Sequence, residues 1–253
     1  MSQKNFKISA SNQGNVEAIQ DGWRLSIPAG EAGSYRLAQL DDYGTEPRKR
    51  FAWNAPVGLE LRARASSSQM PGTWGFGFWN DPFALSLGFG GKQRIPSLPN
   101  AAWFFFASSE NHLSLRDNLP ASGSMTAVFH SPPKLLGLFA LATPLLPLVM
   151  WKPTSKVLRR WASLGIQQYA HQLELSTHEW HSYSLLWEEE QVRFWVDDQA
   201  VFSTTISPHP PLGLVLWIDN QYAAWPPNGK ISYGTLSASD EQWIELKDIR
   251  LSA

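Results

Sequence analysis

The chain has 253 residues and no cysteine, which excludes disulfide bonds and thiolate metal sites. Hydrophobic residues make up 43% and charged residues 17%, a composition typical of a globular protein with a sizeable core. A formal net charge of −1 gives no general electrostatic reason to bind nucleic acid.

Short alternating or apolar segments, separated by Gly, Pro, Asn and Asp, predict an all-β sandwich or barrel. In VGLELRARA (57–65) the apolar side chains occupy every second position and the charged side chains lie between them. The other predicted strands are GTWGFGFWN (72–80), a strand within 100–110, SMTAVFH (124–130), HSYSLLW (181–187), VRFWV (192–196), LGLVLWID (212–219) and WIELKDIRL (243–251). No change in composition marks a boundary, so we predict a single domain over 1–253.

The strand within NAAWFFFASSE (100–110) is unusual because neither of its faces is polar. Alternation places Trp103 and Phe105 on one face and Phe104 and Phe106 on the other. This pattern predicts a strand that is buried on both sides.

One segment interrupts the β pattern. LLGLFALATPLLPLVMW (135–151) is apolar apart from one Thr and lies between two lysines, and its two prolines interrupt any helix. It is shorter than the roughly 20 apolar residues that a membrane span requires. KVLRRWASLGIQQYAHQL (156–173) then carries apolar residues at helical spacing beside a basic face. We therefore predict a mainly helical, apolar insertion around 133–173.

Three interpretations of this insertion remain open. It is a flap that packs on the sandwich, an amphipathic element that touches a membrane or caps an apolar ligand, or a true membrane span. In the second interpretation 135–151 makes peripheral membrane contact, and Lys156, Arg159 and Arg160 meet anionic headgroups.

Four segments resemble the concanavalin A-like sandwich and, within it, glycoside hydrolase family 16. They are HEWHSYSLLWEEEQVRFWVDDQAVFSTT (178–205), LGLVLWIDNQYAAWPPNG (212–229), WIELKDIRL (243–251) and GTWGFGFWN (72–80). The resemblance implies an antiparallel jelly roll and a glycan ligand. These are mostly scaffold motifs, so they support the fold more than an activity.

The catalytic signature of that family, Glu-x-Asp-x-x-Glu, is absent from the matching strand. Retaining hydrolysis needs two carboxylates about 5–5.5 Å apart. No register of 100–110 supplies such a pair, and Glu110 follows the strand. The calcium site of the family is also in doubt, because Lys247 stands where an Asp is usual. The resemblance thus implies a degenerate catalytic site with an aromatic cleft.

Polar residues cluster at the ends of two predicted strands. Asn80 and Asp81 follow the Trp-rich strand, and Asp219 shares a face with Trp217 by alternation. Both aspartates are candidate catalytic acids, because a carboxyl group among indoles tends towards a raised pKa. Their ordinary interpretation as turn formers also remains open. The ligand-binding candidates on these strands and their ends are Trp74, Trp79, Asn80, Trp103, Phe105, His130, Trp217, Asn220, Gln221 and Tyr222.

The sequence predicts no metal site and no cofactor. His178 and His181 are three residues apart, which on a strand points them to opposite faces. LGFGGK (87–92) lacks the spacing of a phosphate-binding loop. The start, MSQKNFKISASNQG, lacks the apolar core of a signal peptide, so we expect a cytoplasmic protein.

Three functions follow from these features. The first is a glycan-binding or glycan-processing protein with a degenerate site, supported by the resemblance and by 13 tryptophans. The second is a non-hydrolytic enzyme, an acid-assisted cyclase or isomerase, whose ligand is an apolar or amphiphilic small molecule. The third is a non-catalytic module that binds a membrane or a partner. The sequence leaves open whether any reaction is catalysed.

Overall fold

A computed structural model describes residues 6–82, 97–132 and 151–252. This part of the chain forms an all-β sandwich, as predicted, in which all pairings between strands are antiparallel. The strands are β1 Lys7–Ser11, β2 Asn15–Ile19, β3 Gly22–Ile27, β4 Leu37–Asp41, β5 Val57–Ala65, β6 Thr73–Trp79, β7 Ala101–Ala107, β8 Gly123–His130, β9 Gln167–Gln172, β10 His181–Trp187, β11 Val192–Val196, β12 Gln199–Thr204, β13 Gly213–Asp219, β14 Gln221–Ala224, β15 Ser232–Thr235 and β16 Gln242–Ser252. The helices are a short 3₁₀ helix, Arg48–Arg50, and α1, Lys152–Gly165.

Two sheets of seven strands form the layers of the sandwich. Sheet A has the order β1-β4-β13-β6-β7-β8-β9, and sheet B has the order β12-β11-β10-β5-β16-β3-β2. Strands β14 and β15 form a separate two-stranded sheet. This arrangement confirms the predicted concanavalin A-like jelly roll.

The core lies between the facing sides of sheets A and B. The apolar positions of β5 that alternation predicts to face inwards, including Leu59 and Leu61, are buried. Sheet A contributes Phe76 and Phe104, whose rings meet Tyr183 of sheet B edge to face. Edge-to-face pairs add to the stabilisation that burial of the rings already provides.

A second apolar cluster covers the outer face of sheet A. It is built on alternate residues of β7, β8 and β13, against which Tyr43, Phe51 and Ile166 pack. All seven residues of β7 are therefore buried, which confirms the prediction from NAAWFFFASSE.

Within the described part of the predicted insertion, only Lys152–Gly165 is helical. Residues 133–150 lie outside the described part of the chain, and with them most of the apolar segment 135–151. Helix α1 ends at Gly165, and β9 then pairs with the edge of β8. The helical spacing of apolar residues over 156–173 corresponds to a helix only as far as residue 165. Residues 167–172 form a strand instead, in which Gln168 and Ala170 are buried at alternate positions. Within the described ranges, no helix has both the length and the hydropathy that a membrane crossing requires.

Candidate functional site

Five aromatic side chains from four neighbouring strands lie together on the outer face of sheet A. We call them the aromatic layer: Trp79 of β6, Trp103 and Phe105 of β7, Phe129 of β8 and Trp217 of β13. The rings of Trp79 and Trp217 are parallel, with their centroids 6.0 Å apart. The ring of Trp103 is tilted against both, at 5.8 Å and 5.7 Å.

Two glycines of β6 make room for these rings on the sheet. A Cβ atom at Gly75 would lie 2.7 Å from the ring of Trp217, and one at Gly77 would lie 2.7 Å from Cβ of Trp103. Any larger residue would push the indoles away from the sheet, because such contacts are shorter than van der Waals separation. The Gly-Phe-Gly-Phe pattern of β6 thus carries core phenylalanines on one face and space for the aromatic layer on the other.

The three indole N–H groups of the layer differ in their partners. Trp79 Nε1 donates a hydrogen bond to Tyr43 Oη at 2.7 Å, and Trp217 Nε1 donates to Thr73 Oγ1 at 3.0 Å. Among the residues that the structure describes, Trp103 Nε1 has no hydrogen-bond partner, although Trp103 is only 4% exposed. A buried donor without an acceptor is costly, and an acceptor from a ligand would relieve that cost.

Asp219 ends β13 beside the aromatic layer. Its Oδ1 accepts hydrogen bonds from Thr73 Oγ1 at 2.8 Å and from the Gln221 amide at 3.1 Å, and its Oδ2 lies 3.5 Å from Tyr35 Oη. Burial raises the pKa of Asp219 to about 7, although these hydrogen bonds oppose the rise. A carboxyl group of this acidity is able to give or take a proton near neutral pH.

Tyr35 is within electrostatic reach of both predicted acids. Burial raises the pKa of its phenol well above the ordinary value, and the charges of Asp219 and then of Asp81 raise it further. Asp81 is itself buried, and its backbone carbonyl accepts a hydrogen bond from Arg48 at 2.6 Å. The two aspartates come from opposite ends of the sheet, because β13 starts beside Trp79 and ends beside Thr73.

The other predicted ligand-binding residues are dispersed. Trp74 lies between the sheets, stacked on Phe106 at 3.6 Å, and is therefore a core residue on the face of β6 opposite to the aromatic layer. Asn80 ties the end of β6 to Leu98 and Asn100. His130 ends β8, where its Nδ1 lies 2.6 Å from the carbonyl oxygen of Ser207.

The predicted ligand-binding residues that follow β13 are not members of the aromatic layer. The amide of Asn220 is fully buried and bonds to the backbone of Ser34, Arg36 and Leu236, which accounts for it as a structural residue. Gln221 and Tyr222 are half-buried in β14.

Sequence reasoning missed Tyr35, Tyr43, Thr73 and Phe129. Tyr35 and Tyr43 flank β4 and belong to no motif, and each contacts the site through residues far along the chain. Thr73 is the first residue of β6 and Phe129 is the penultimate residue of β8. Both strands were predicted, so alternation along them could have assigned both side chains to the outer face of sheet A. Among the described residues, no group of His, Asp and Glu is arranged to hold a metal ion.

Comparison with known proteins finds similarities to glycoside hydrolases. A family profile described as "Glycosyl hydrolases family 16" matches residues 161–210. A family 16 endo-glucanase from Bacteroides ovatus, solved in complex with G4G3G-2F-DNP, has a TM-score of 0.51 and 10% identity, covering 100% of this chain and 96% of that chain. A comparison with curated proteins finds no match.

Two further solved structures are similar at lower TM-scores. A β-1,3-glucanase from Mycobacterium marinum has a TM-score of 0.46 and 12% identity, covering 99% of this chain and 92% of that chain. A sialidase has a TM-score of 0.47 and 7% identity over 98% of this chain, which spans 17% of the sialidase chain.

The chain therefore resembles glycoside hydrolase family 16 and has a concanavalin A-like sandwich.

Proposed function

We propose that this protein binds a glycan on the outer face of sheet A and does not hydrolyse it by the retaining mechanism. The observation that carries the proposal is the aromatic layer, in which the buried N–H group of Trp103 has no acceptor within residues 6–82, 97–132 and 151–252. The resemblance to family 16 gives the class of ligand.

The aromatic layer has the chemistry of a sugar subsite. Indole faces offer apolar surface to the C–H groups of a pyranose ring, and a few fixed polar groups then orient the ligand. Here those groups are the Trp103 N–H, the Tyr35 hydroxyl and the Asp219 carboxyl. Trp79 is the half-buried tryptophan of the layer, so the ligand enters beside it.

The composition of β7 supports the absence of retaining hydrolysis. Its outer face carries Ala101, Trp103, Phe105 and Ala107, none of which is acidic. Double displacement requires a nucleophile and an acid/base about 5–5.5 Å apart. Asp219 and Asp81 come from opposite ends of β13 and β6, which is unsuited to such a pair.

The test is binding of a mixed-linkage glucan tetrasaccharide, measured by isothermal titration calorimetry. We expect the wild type to bind and the Trp103→Phe variant to bind about 5- to 15-fold more weakly, because one hydrogen bond of about 1–1.5 kcal/mol is lost. Trp243→Phe, on sheet B, is the matched control and should bind like the wild type. No binding by the wild type, or equal weakening in both variants, would refute the proposal.

One observation favours a second candidate, an acid-assisted isomerase or cyclase acting on an apolar or amphiphilic molecule. Asp219 has a pKa of about 7 and lies beside the indole of Trp217. A protonated Asp219 would give its proton to a carbon–carbon double bond of the ligand, and the resulting cation would be stabilised by the aromatic faces. Loss of a proton from a neighbouring carbon would complete an isomerisation without net change in composition.

This candidate predicts turnover of an acyclic polyene to an isomer of equal mass, followed by chromatography with mass detection. The Asp219→Asn variant should lose the activity at least 100-fold, since it removes the general acid. Asp198→Asn, at an exposed hairpin turn, is the control and should retain it. Turnover that survives in Asp219→Asn would contradict this candidate.

A further inference from the structure

Helix α1 is docked on the sandwich by its polar side. The guanidinium group of Arg159 donates hydrogen bonds to the carbonyl oxygens of Trp225 at 2.7 Å and Ser114 at 2.9 Å, and to Asp117 Oδ1 at 2.7 Å. Ser155 Oγ accepts a hydrogen bond from Trp225 Nε1 at 2.8 Å. Ser155 and Arg159 are the buried residues of the helix.

The apolar side of α1 faces solvent. Val157, Trp161 and Leu164 follow the i, i+4, i+7 spacing of one helical stripe, and Trp161 and Leu164 are 72% and 80% exposed. Leu158 and Trp151, the residue before the helix, are also exposed. A helix on a globular protein normally turns such a stripe inwards, so this reversed orientation marks an interaction surface.

All the charged residues of α1 are positive. Lys152, Lys156 and Arg160 are exposed, and α1 contains no Asp or Glu. Lys230 lies in the loop that packs against the start of the helix, where a Cβ atom on Gly229 would lie 2.6 Å from Cγ of Lys156. The sequence interpretation assigned Arg159 to headgroup contact, but Arg159 is buried and paired with Asp117.

These charges favour a lipid surface over a second copy of the chain. A two-fold interface would bring the stripe and its flanking cations against their own copies, and like charges would repel each other. An anionic bilayer instead accepts the Trp, Val and Leu side chains below the headgroups and the lysines and arginine among them. The exposed tryptophans fit the membrane–water interface, where indoles are enriched.

We propose that α1 is an interfacial helix that binds this protein to anionic membranes through Val157, Trp161 and Leu164, with Lys152, Lys156 and Arg160 contacting lipid headgroups. The helix is about 21 Å long at 1.5 Å per residue and lies in the plane of the interface. Because Arg159 holds α1 against the sandwich by hydrogen bonds, binding of α1 to the membrane brings the sandwich to the membrane as well.

The absence of cysteine in the chain allows a site-specific test. The Leu164→Cys variant, labelled with the environment-sensitive fluorophore NBD, is mixed with vesicles of phosphatidylcholine alone or with phosphatidylglycerol at 3:1. We expect a blue shift and at least a twofold gain in emission with the anionic vesicles. NBD at Ile8→Cys, an exposed position at the opposite edge of sheet A, should not respond. An equal response at both positions, or none at 164, would overturn the proposal.

Substitutions separate the apolar and electrostatic contributions in a vesicle co-sedimentation assay. Trp161→Ala/Leu164→Ala should bind at least tenfold more weakly, whereas the control Ile8→Ala/Tyr233→Ala should bind like the wild type. Lys156→Gln/Arg160→Gln should bind anionic vesicles roughly 30-fold more weakly. If sedimentation velocity shows a dimer that Trp161→Ala/Leu164→Ala dissociates, and vesicles do not bind, the stripe is a contact between copies and the lipid proposal is wrong.

Discussion

The acidity of Asp219 is set by opposing contacts at the end of one strand. Removal of its carboxyl group from water disfavours the charged form, while hydrogen bonds from Thr73, the backbone and Tyr35 favour it. Burial prevails and raises the pKa to about 7. The sequence interpretation expected this direction from the neighbouring indole, but the hydroxyls of Tyr35 and Thr73 that moderate it were not anticipated.

This raised pKa predicts a dependence of stability on pH. Since the folded pKa lies above the value of the unfolded chain, the folded state keeps a proton that the unfolded state has released. The stabilising contribution is complete below about pH 4 and is lost as the pH rises through about 7, by up to roughly 4 kcal/mol.

The stability of the Asp219→Asn variant should not fall with pH in this way, because the variant has no carboxyl group at residue 219. In urea unfolding between pH 4 and pH 8, its stability relative to the wild type should increase with pH over that window. Asp198→Asn is the control, because it also replaces an Asp by an Asn but at an exposed turn where both residues tolerate a positive φ. Parallel pH profiles for the wild type and Asp219→Asn would contradict the raised pKa.

At the level of single elements, β7 and α1 are both unusual in the faces that they bury. Strand β7 buries aromatic side chains on both sides, because sheet B covers one and the second apolar cluster covers the other. Helix α1 buries Arg159 and exposes Trp161. The same 3.6-residue period that predicts an amphipathic helix does not say which face meets the protein.

The orientation of α1 depends on the hydrogen bonds of Arg159, so loss of these hydrogen bonds should destabilise the protein. Replacement by Met would leave the carbonyl oxygens of Ser114 and Trp225 without their donor, so Arg159→Met should lower the free energy of unfolding by about 2–4 kcal/mol. The adjacent Arg160→Met, at an exposed position, should change it by less than about 0.5 kcal/mol.

Urea unfolding of the two variants measures the difference, and hydrogen exchange along residues 152–165 tests its origin. Faster exchange of these amides in Arg159→Met, but not in Arg160→Met, is expected. Equal stabilities would show that packing alone, without the guanidinium hydrogen bonds, holds the helix.

At the level of the whole molecule, two seven-stranded sheets form a sandwich, whereas the match to family 16 covers only a short segment. The match at 161–210 contains β10, β11 and β12 of sheet B and the edge strand β9 of sheet A. The five residues of the aromatic layer lie on sheet A, and all of them are outside the matched segment. A likeness in scaffold strands therefore gives no information about the chemistry of the aromatic layer.

The absence of a carboxylate pair on β7 predicts that the purified protein does not cleave glucans. Reducing ends released from β-1,3, β-1,4 and mixed-linkage glucans should stay at the level of a protein-free blank. Glu110, which follows β7, should make no difference when changed to Gln. Release by the wild type that disappears in Glu110→Gln would overturn this expectation.

The sequence by itself determined most of the fold and part of the candidate site. Alternation in β5 and the two apolar faces of β7 are local patterns, so they predict strands and burial without knowledge of neighbouring strands. Alternation also places Trp103, Phe105 and Trp217 on definite faces of their strands. It also assigns Trp74 and Trp79, five residues apart on β6, to opposite faces, so the two cannot both face one ligand.

The tertiary structure alone decided which faces meet. Tyr35 reaches Asp219 across 184 positions of the chain, and β9 is a strand because the edge of β8 supplies its hydrogen bonds. The outward orientation of α1 likewise follows from Arg159 contacts with Ser114 and Trp225, which are 45 and 66 positions away. Periodicity is a property of consecutive residues, whereas desolvation of Asp219 and docking of α1 arise from residues that only folding brings together.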